Sequence, residues 1–173
     1  MFVLSEQLKN LEVISLRETR LVARLGAPII NPDDLEIKAF FCLAKNFQEQ
    51  RIVLANDIAK INRVSLIINS EEDVSMLSEV VRAKELVRQN FQLKLLPVYS
   101  ESGVSLGKVE DYTIDLGSFK VQKIYVKQSL FKNLLLRRLI IDRAQIVEVT
   151  PRKIIVRDGS AKALARVTEP VAQ

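Results

Sequence analysis

The chain has 173 residues, with 26 Lys and Arg against 21 Asp and Glu, a single Cys and no His or Trp. The missing histidine removes the usual general base at neutral pH and the commonest metal ligand, and one cysteine makes neither an internal disulfide nor a Cys-rich zinc site. At 48% hydrophobic and 27% charged, with 5 Gly and 5 Pro, this is a foldable globular sequence, long enough for one mid-sized domain or two small ones.

In chain order, Met-Phe-Val-Leu-Ser-Glu reaches an acid at Glu6 with no basic leader, so no secretory signal is expected. No uncharged run approaches the ~18 residues of a transmembrane helix, and a cytoplasmic location is expected. Residues 1–69 read as β-structure through their match to a later segment, set out below. Within them, Asp33-Asp34 beside Pro32 reads as a turn. Cys42, between Phe41 and Leu43, is expected to be a buried core thiol, since a nucleophilic one needs partial exposure and a positive neighbour. Over 70–91, Ser70 before Glu71-Glu72-Asp73 resembles a capped helix start. Val74, Leu77, Val81 and Leu86 or Val87 then recur at helical spacing, which predicts one linking helix.

Beyond it, short strands are expected at Val98–Ser100, Ser105–Ile114, Phe119–Val126, Arg138–Ile141, Ile146–Thr150 and Ile154–Arg157. Glu101-Ser102-Gly103, Asp115-Leu116-Gly117-Ser118 and Thr150-Pro151-Arg152-Lys153 supply the turns: Gly accepts positive φ, Asp bonds its own backbone, and Pro takes its favoured second position. Lys123 and Ile124 break the alternation as a bulge would. About six strands in ~65 residues suit a small closed barrel. The stretch 160–173 has weak helical character at Ala161–Val167 and is expected to be loosely attached or disordered.

The most informative feature is a self-match at an offset of 84–85 residues. Leu8–Ser15 aligns with Leu93–Ser100, Val22–Leu25 with Leu106–Val109, Ile30–Ile37 with Ile114–Val121, and Asp57–Ile61 with Asp142–Ile146. Each copy ends in an apolar run, Leu66-Ile67-Ile68 or Ile154-Ile155-Val156. The repeat predicts a mainly β fold of two tandem small barrels, at 1–69 and 92–159, joined by a helix over 70–91 and followed by a tail. A unit of ~60 residues buries little surface alone, so the copies are expected to pack together or the protein to form a homo-oligomer.

Leu-x-x-Leu-Pro-Val-Tyr-Ser, a Gly, then Leu-Gly-Lys-Val-Glu-Asp-Tyr-Thr-Ile-Asp resembles the PRC-barrel family, named for the cytoplasmic domain of the photosynthetic reaction centre H subunit. Residues Leu93–Gly159 carry the clearer likeness, including Gly103, Gly107, Val109, Asp111 and Asp115. The first copy, with Ala23 where the second has Gly107, resembles a diverged member. The resemblance implies binding and assembly modules without a general catalytic constellation or cofactor. One branch caps a membrane complex; another sits in a ribosome maturation factor that engages a ribosomal protein and rRNA. This sequence shows neither a membrane helix nor a separate RNA-processing domain, so neither specific role is carried over from the resemblance. Gly103 is expected to serve a tight turn, Gly107 a curved strand or close backbone approach, and Asp111 and Asp115 to hold turns, as does Gly117.

Charge is uneven. Residues 1–96 carry 13 basic and 13 acidic side chains; residues 97–173 carry 13 and 8, so the whole surplus of +5 lies in the second half. Arg137-Arg138, with Lys132 upstream and Lys120, Lys123, Lys127, Arg152, Lys153 and Arg157 around it, forms a candidate basic face for an anionic partner. The bland alternative has one Arg paired to Asp142 or Glu148 and the other solvated. Glu110 and Asp111, neighbours on a strand, point to opposite faces and are poorly placed to share a proton or metal. Gly103-x-x-x-Gly107 lacks the following Gly-Lys-Ser/Thr of a phosphate loop. Tyr99, Tyr112 and Tyr125 are expected in barrel packing. RNA-binding sheets display stacking aromatics among their basic residues, whereas here only Phe119 and Tyr125 are near, which tilts the reading toward a protein partner. The expectation is a non-enzymatic cytoplasmic adaptor with no cofactor or metal; the alternatives are RNA or ribosome binding through the basic second copy, and a peripheral scaffold on an anionic membrane surface.

Overall fold

Local turn chemistry sets the first hairpin. Strand β1 (Phe2–Leu4) precedes β2 (Glu12–Ser15), β3 (Arg20–Asn31) and β4 (Glu36–Leu43) in the computed structural model, which describes residues 1–44, 46, 48–128 and 137–159. Between β3 and β4 the Asn31 side chain accepts from the Asp33 N–H, the Asp34 carboxylate accepts from the Glu36 N–H at 2.9 Å, and Leu35 takes φ 52°. The Asp33-Asp34 turn is therefore as read, with Asp34 holding it. Next come β5 (Arg51–Leu54), β6 (Ile58–Ile61), β7 (Ser65–Ile68), β8 (Val74–Met76) and α1 (Val81–Arg88). The second copy supplies β9 (Pro97–Ser100), β10 (Ser105–Asp115), β11 (Lys120–Gln128), β12 (Arg137–Asp142), β13 (Ile146–Val149) and β14 (Ile154–Val156). These six fall on the six strands read from sequence, with ends shifted by one or two residues.

The chain divides into two compact units. The first is Met1–Phe91 together with Thr113–Val121; the second is Gln92–Tyr112 and the described residues from Gln122 onward. In the first unit the ladder order is β6-β7-β2-β3-β4-β5-β8, with β7 parallel to β2 and the other pairs antiparallel. In the second it is β13-β14-β9-β10-β11-β12, with β14 parallel to β9. The two orders are the same for six strands, β2 to β7 corresponding to β9 to β14. Positive φ recurs at equivalent places: Asn10 and Leu95 (60° and 68°), Thr19 and Gly103 (50° and 83°), Leu35 and Phe119 (52° and 54°). The alternation breaks at the same point too, since Ile37, Ala39, Phe40 and Cys42 in β4 and Val121, Ile124 and Val126 in β11 are all buried.

Three readings are corrected. Leu54 and Asp142 each lead into a 3-10 turn, Ala55–Asp57 and Arg143–Gln145, after which Ile58 and Ile146 open β6 and β13. The true offset there is 88, so aligning Asp57–Ile61 with Asp142–Ile146 was three residues out; four extra residues of the second copy fall between Lys127 and Leu139. The sheets are not closed barrels, because β5 and β6, like β12 and β13, are separated by these 3-10 turns and are not ladder partners. The helix expected over 70–91 occupies only Val81–Arg88. Ser70 does cap, accepting from the Glu72 N–H with Asp73 completing the capping box, but what it caps is a 3-10 turn, Glu71–Asp73. Val74–Met76 is then drawn into the sheet by the free edge of β5, a tertiary demand that overrides helical spacing.

The first unit gathers the tip of the β10–β11 hairpin. Val3 pairs with Ile114, the Ile37 N–H donates to Phe119 O (2.8 Å), and the Val121 N–H donates to Leu35 O (3.0 Å). The Phe119 ring stands edge-on to Phe40 at 6.2 Å. Asp115 accepts from the N-terminal ammonium (3.1 Å), the Gly117 N–H and the Ser118 hydroxyl. The ammonium, before all else, holds the Asp115 carboxyl below its ordinary pKa. Gly117 itself needs no positive φ; the left-handed residue of that turn is Phe119.

A basic outer sheet face as the candidate partner site

On β11 the inward residues Ile124 and Val126 are fully buried, so Lys123, Tyr125 and Lys127 lie on the other, outer side. The β11–β12 register sets Lys123 opposite Asp142, Tyr125 opposite Ile140 and Lys127 opposite Arg138. Arg138 reaches Glu110 of β10 at 2.7 Å, which places Glu110, and by alternation Lys108, on the same side. Lys123 and Asp142 are 3.4 Å apart. The face thus carries four cations (Lys108, Lys123, Lys127, Arg138) and two acids around half-buried Tyr125 and Ile140. Among the described residues Lys108 and Lys127 have no acidic partner, leaving a net surplus of two positive charges.

The other residues read as one basic face are dispersed. Lys120 belongs to the first unit, 3.8 Å from Glu36. Arg152 and Lys153 sit exposed at the β13–β14 turn, where the Thr150 hydroxyl accepts from both their N–H groups. Arg137 pairs through its backbone with Gln128, and Lys132 lies outside the described residues. Sequence reasoning paired an arginine with Asp142 or Glu148; the acid is Glu110, which no spacing rule points to because it lies across β11 from Arg138. Lys108 was missed for the same reason: only the strand order brings it beside Lys127's face.

Comparison of equivalent positions shows what is particular to the second unit. Through the offsets above, Lys123, Tyr125, Lys127, Ile140 and Asp142 correspond to Ala39, Phe41, Leu43, Ile52 and Leu54. In the first unit those residues form an apolar outer face. Ala39 and Ile52 are fully buried in a cluster with Ile29, Leu77 and Ala83, and Phe41, Leu54, Val80, Leu86 and Val87 pack around it. The segment from Leu77 through α1 therefore covers that face. In the second unit the same positions are charged or half-exposed.

Cys42 is buried, and burial pushes its thiol up to about 12, so it is inert at neutral pH. A cleft of about 970 Å³ in the first unit is lined by apolar residues such as Leu21, Phe41 and Leu43, and by Arg24 and Arg51. Arg24 is held by Glu12 (3.2 Å) and Asn10 O, and Arg51 by Val74 O. Tyr112 is buried. Asp111 lies within β10 rather than in a turn and pairs with Lys94 at 3.3 Å. Gly107 has φ 119°, and a Cβ there would stand 2.2 Å from Lys127 O, which is the close backbone approach expected of it; Gly103, at φ 83°, turns β9 into β10. Among the described residues there is no cluster of three metal-ligating side chains, and no helix is long and apolar enough to cross a membrane. No curated protein matches the chain. Residues 91–162, which include all six strands of the second copy, match the PRC-barrel domain family.

Proposed function

We propose that this chain is a non-enzymatic binding module of the cytoplasm, a tandem of two PRC-barrel-like units whose second unit receives an acidic segment of a partner protein on the outer face of β10–β12. The observation that carries this reading is the contrast between equivalent faces: apolar and covered by the chain's own helix in the first unit, cationic and exposed in the second. The common strand order of the two units supports treating the first as a diverged copy. Half-buried Tyr125 and Ile140 supply apolar anchors within a charged rim, an arrangement suited to a protein surface. RNA is the second reading, favoured by the surplus charge but weakened by the aromatics: among the described residues Tyr125 is the only one on this face, and Phe119 packs against Phe40.

Titration of the chain with an acidic polyglutamate peptide, single-stranded RNA and anionic vesicles, each at two salt concentrations, tests the proposal. The peptide is expected to bind, and Lys108→Glu/Lys127→Glu to weaken it by about tenfold or more, because four units of charge are reversed at the face. Steeply salt-dependent binding of RNA without the peptide would replace it by the nucleic-acid reading, and vesicle binding alone by the membrane one. Peptide binding indifferent to the double substitution would overturn the face as the site.

A further inference from the structure

In the first unit the outer edge of β5 is occupied: β8 runs antiparallel to it, with Arg51 opposite Met76, Ile52 opposite Ser75 and Val53 opposite Val74. The equivalent edge in the second unit belongs to β12, whose residues Leu139, Ile140 and Ile141 correspond to Arg51, Ile52 and Val53. Among the described residues β12 pairs only with β11. A strand laddered on one side only is a template for another strand. Its own sequence says which one. Arg138-Leu139-Ile140-Ile141-Asp142 is self-complementary when laid antiparallel against itself about Ile140. Arg138 of each copy then faces Asp142 of the other on the outer side, Ile140 meets Ile140, and the buried residues Leu139 and Ile141 meet on the inner side. The register is the one β8 adopts on β5, antiparallel and centred on the residue equivalent to Ile140. In sequence, an offset of 88 sets Lys162, Ala163 and Leu164 against Val74–Met76, a lysine standing for the valine that β8 buries.

We infer that the edge of β12 pairs antiparallel with the edge of β12 in a second copy of this chain, forming a two-fold symmetric dimer with two Arg138–Asp142 pairs. Two-fold symmetry places each contact twice, so one substitution changes two pairs. The inference does not rest on the acidic partner, because it uses the edge of β12 and, of the charges on the face, only Arg138 and Asp142, not Lys108 or Lys127.

Sedimentation equilibrium on the full chain across a range of concentrations tests it. A concentration-dependent dimer is expected, with Arg138→Asp and Asp142→Arg each weakening association by about tenfold or more, and the double variant recovering most of that loss. Recovery is diagnostic because within one copy the double variant sets a carboxylate at position 138 beside Glu110 and a guanidinium at position 142 beside Lys123, while the attraction of Lys127 for a carboxylate at 138 is the same in the single variant and produces no recovery in the double. The Lys108→Glu/Lys127→Glu variant should leave dimerisation in place, which separates failure of this inference from failure of the acidic-partner reading. Hydrogen exchange of the unaltered chain provides a measure independent of any variant: protection at Leu139–Ile141 should rise with concentration. A monomer at every concentration, a double variant as weak as the poorer single one, or protection independent of concentration would overturn the dimer.

Discussion

Two glycines of similar appearance do different work. Gly107 combines φ 119° with a backbone oxygen 2.2 Å from where a Cβ would stand, whereas Gly103 has φ 83° and open space around it. Gly107→Ala is therefore expected to cost about 3 kcal/mol or more, through backbone strain and forced separation of β10 from β11. Gly103→Ala should cost about 1 kcal/mol, the left-handed conformation alone. Denaturant midpoints of the two variants check the order, and equal losses would show that the close approach carries no weight. The bulge itself is common to both copies, Val22 of β3 and Leu106 of β10 being the extra residues opposite Val13–Ile14 and Val98–Tyr99, but Ala23, at the position of Gly107, has no positive φ. Thr19 replaces Gly103 at φ 50°, with its hydroxyl bonded to Leu16 O. That both positions of the second copy need a special backbone was legible from its glycines; that the first copy keeps the left-handed backbone at Thr19 and not at Ala23 was not.

At the scale of elements, the 70–91 segment shows how far periodicity reaches. The spacing of Leu77, Leu86 and Val87 correctly marks an apolar stripe, but the edge of β5 takes Val74–Met76 as a strand and leaves eight residues of helix. Leu77, 9% exposed, joins Ala83 in the cluster over Ala39 and Ile52. Leu77→Ala is expected to destabilise the protein by about 2–4 kcal/mol as a cavity opens there. Val81→Ala, at a site 67% exposed, should change the midpoint of thermal unfolding little. A comparable effect of both would mean that the helix is not held by this cluster. The same comparison explains why the candidate face was half-visible. Lys123, Lys127 and Arg138 stood out by charge, but their grouping depended on which strands lie side by side, and that follows from long-range pairing with no local signal.

At the scale of the whole molecule, the repeat in sequence and the units in space do not share a boundary. Thr113–Val121 lies in the second sequence copy and in the first compact unit, where it pairs with β1, with Leu35 and Ile37, and packs Phe119 on Phe40. A fragment ending at residue 91 loses those partners and leaves the edge of β1 open. It is expected to unfold at lower denaturant than the intact chain and to self-associate; a monomeric fragment with the parent's midpoint would show that the hairpin tip adds nothing. Division of the chain at the end of the repeat, natural from sequence, therefore cuts through a folded unit.

What can be known from residues alone is what local chemistry specifies: strand positions in the second copy, the turns at Asp34, Asp115 and Thr150, the buried Cys42, the break at Lys123-Ile124, and the placing of all excess charge in one half. These follow from side-chain size, backbone freedom and hydrogen bonding within a few positions. Tertiary structure decided what non-local contact specifies: the offset of 88 past Leu54, the open sheets, the short helix, the partner of Arg138, and the covering of one outer face but not, among the described residues, its equivalent. Each of those is a competition between segments for the same edge or surface, and its winner depends on what else the fold brings to that place.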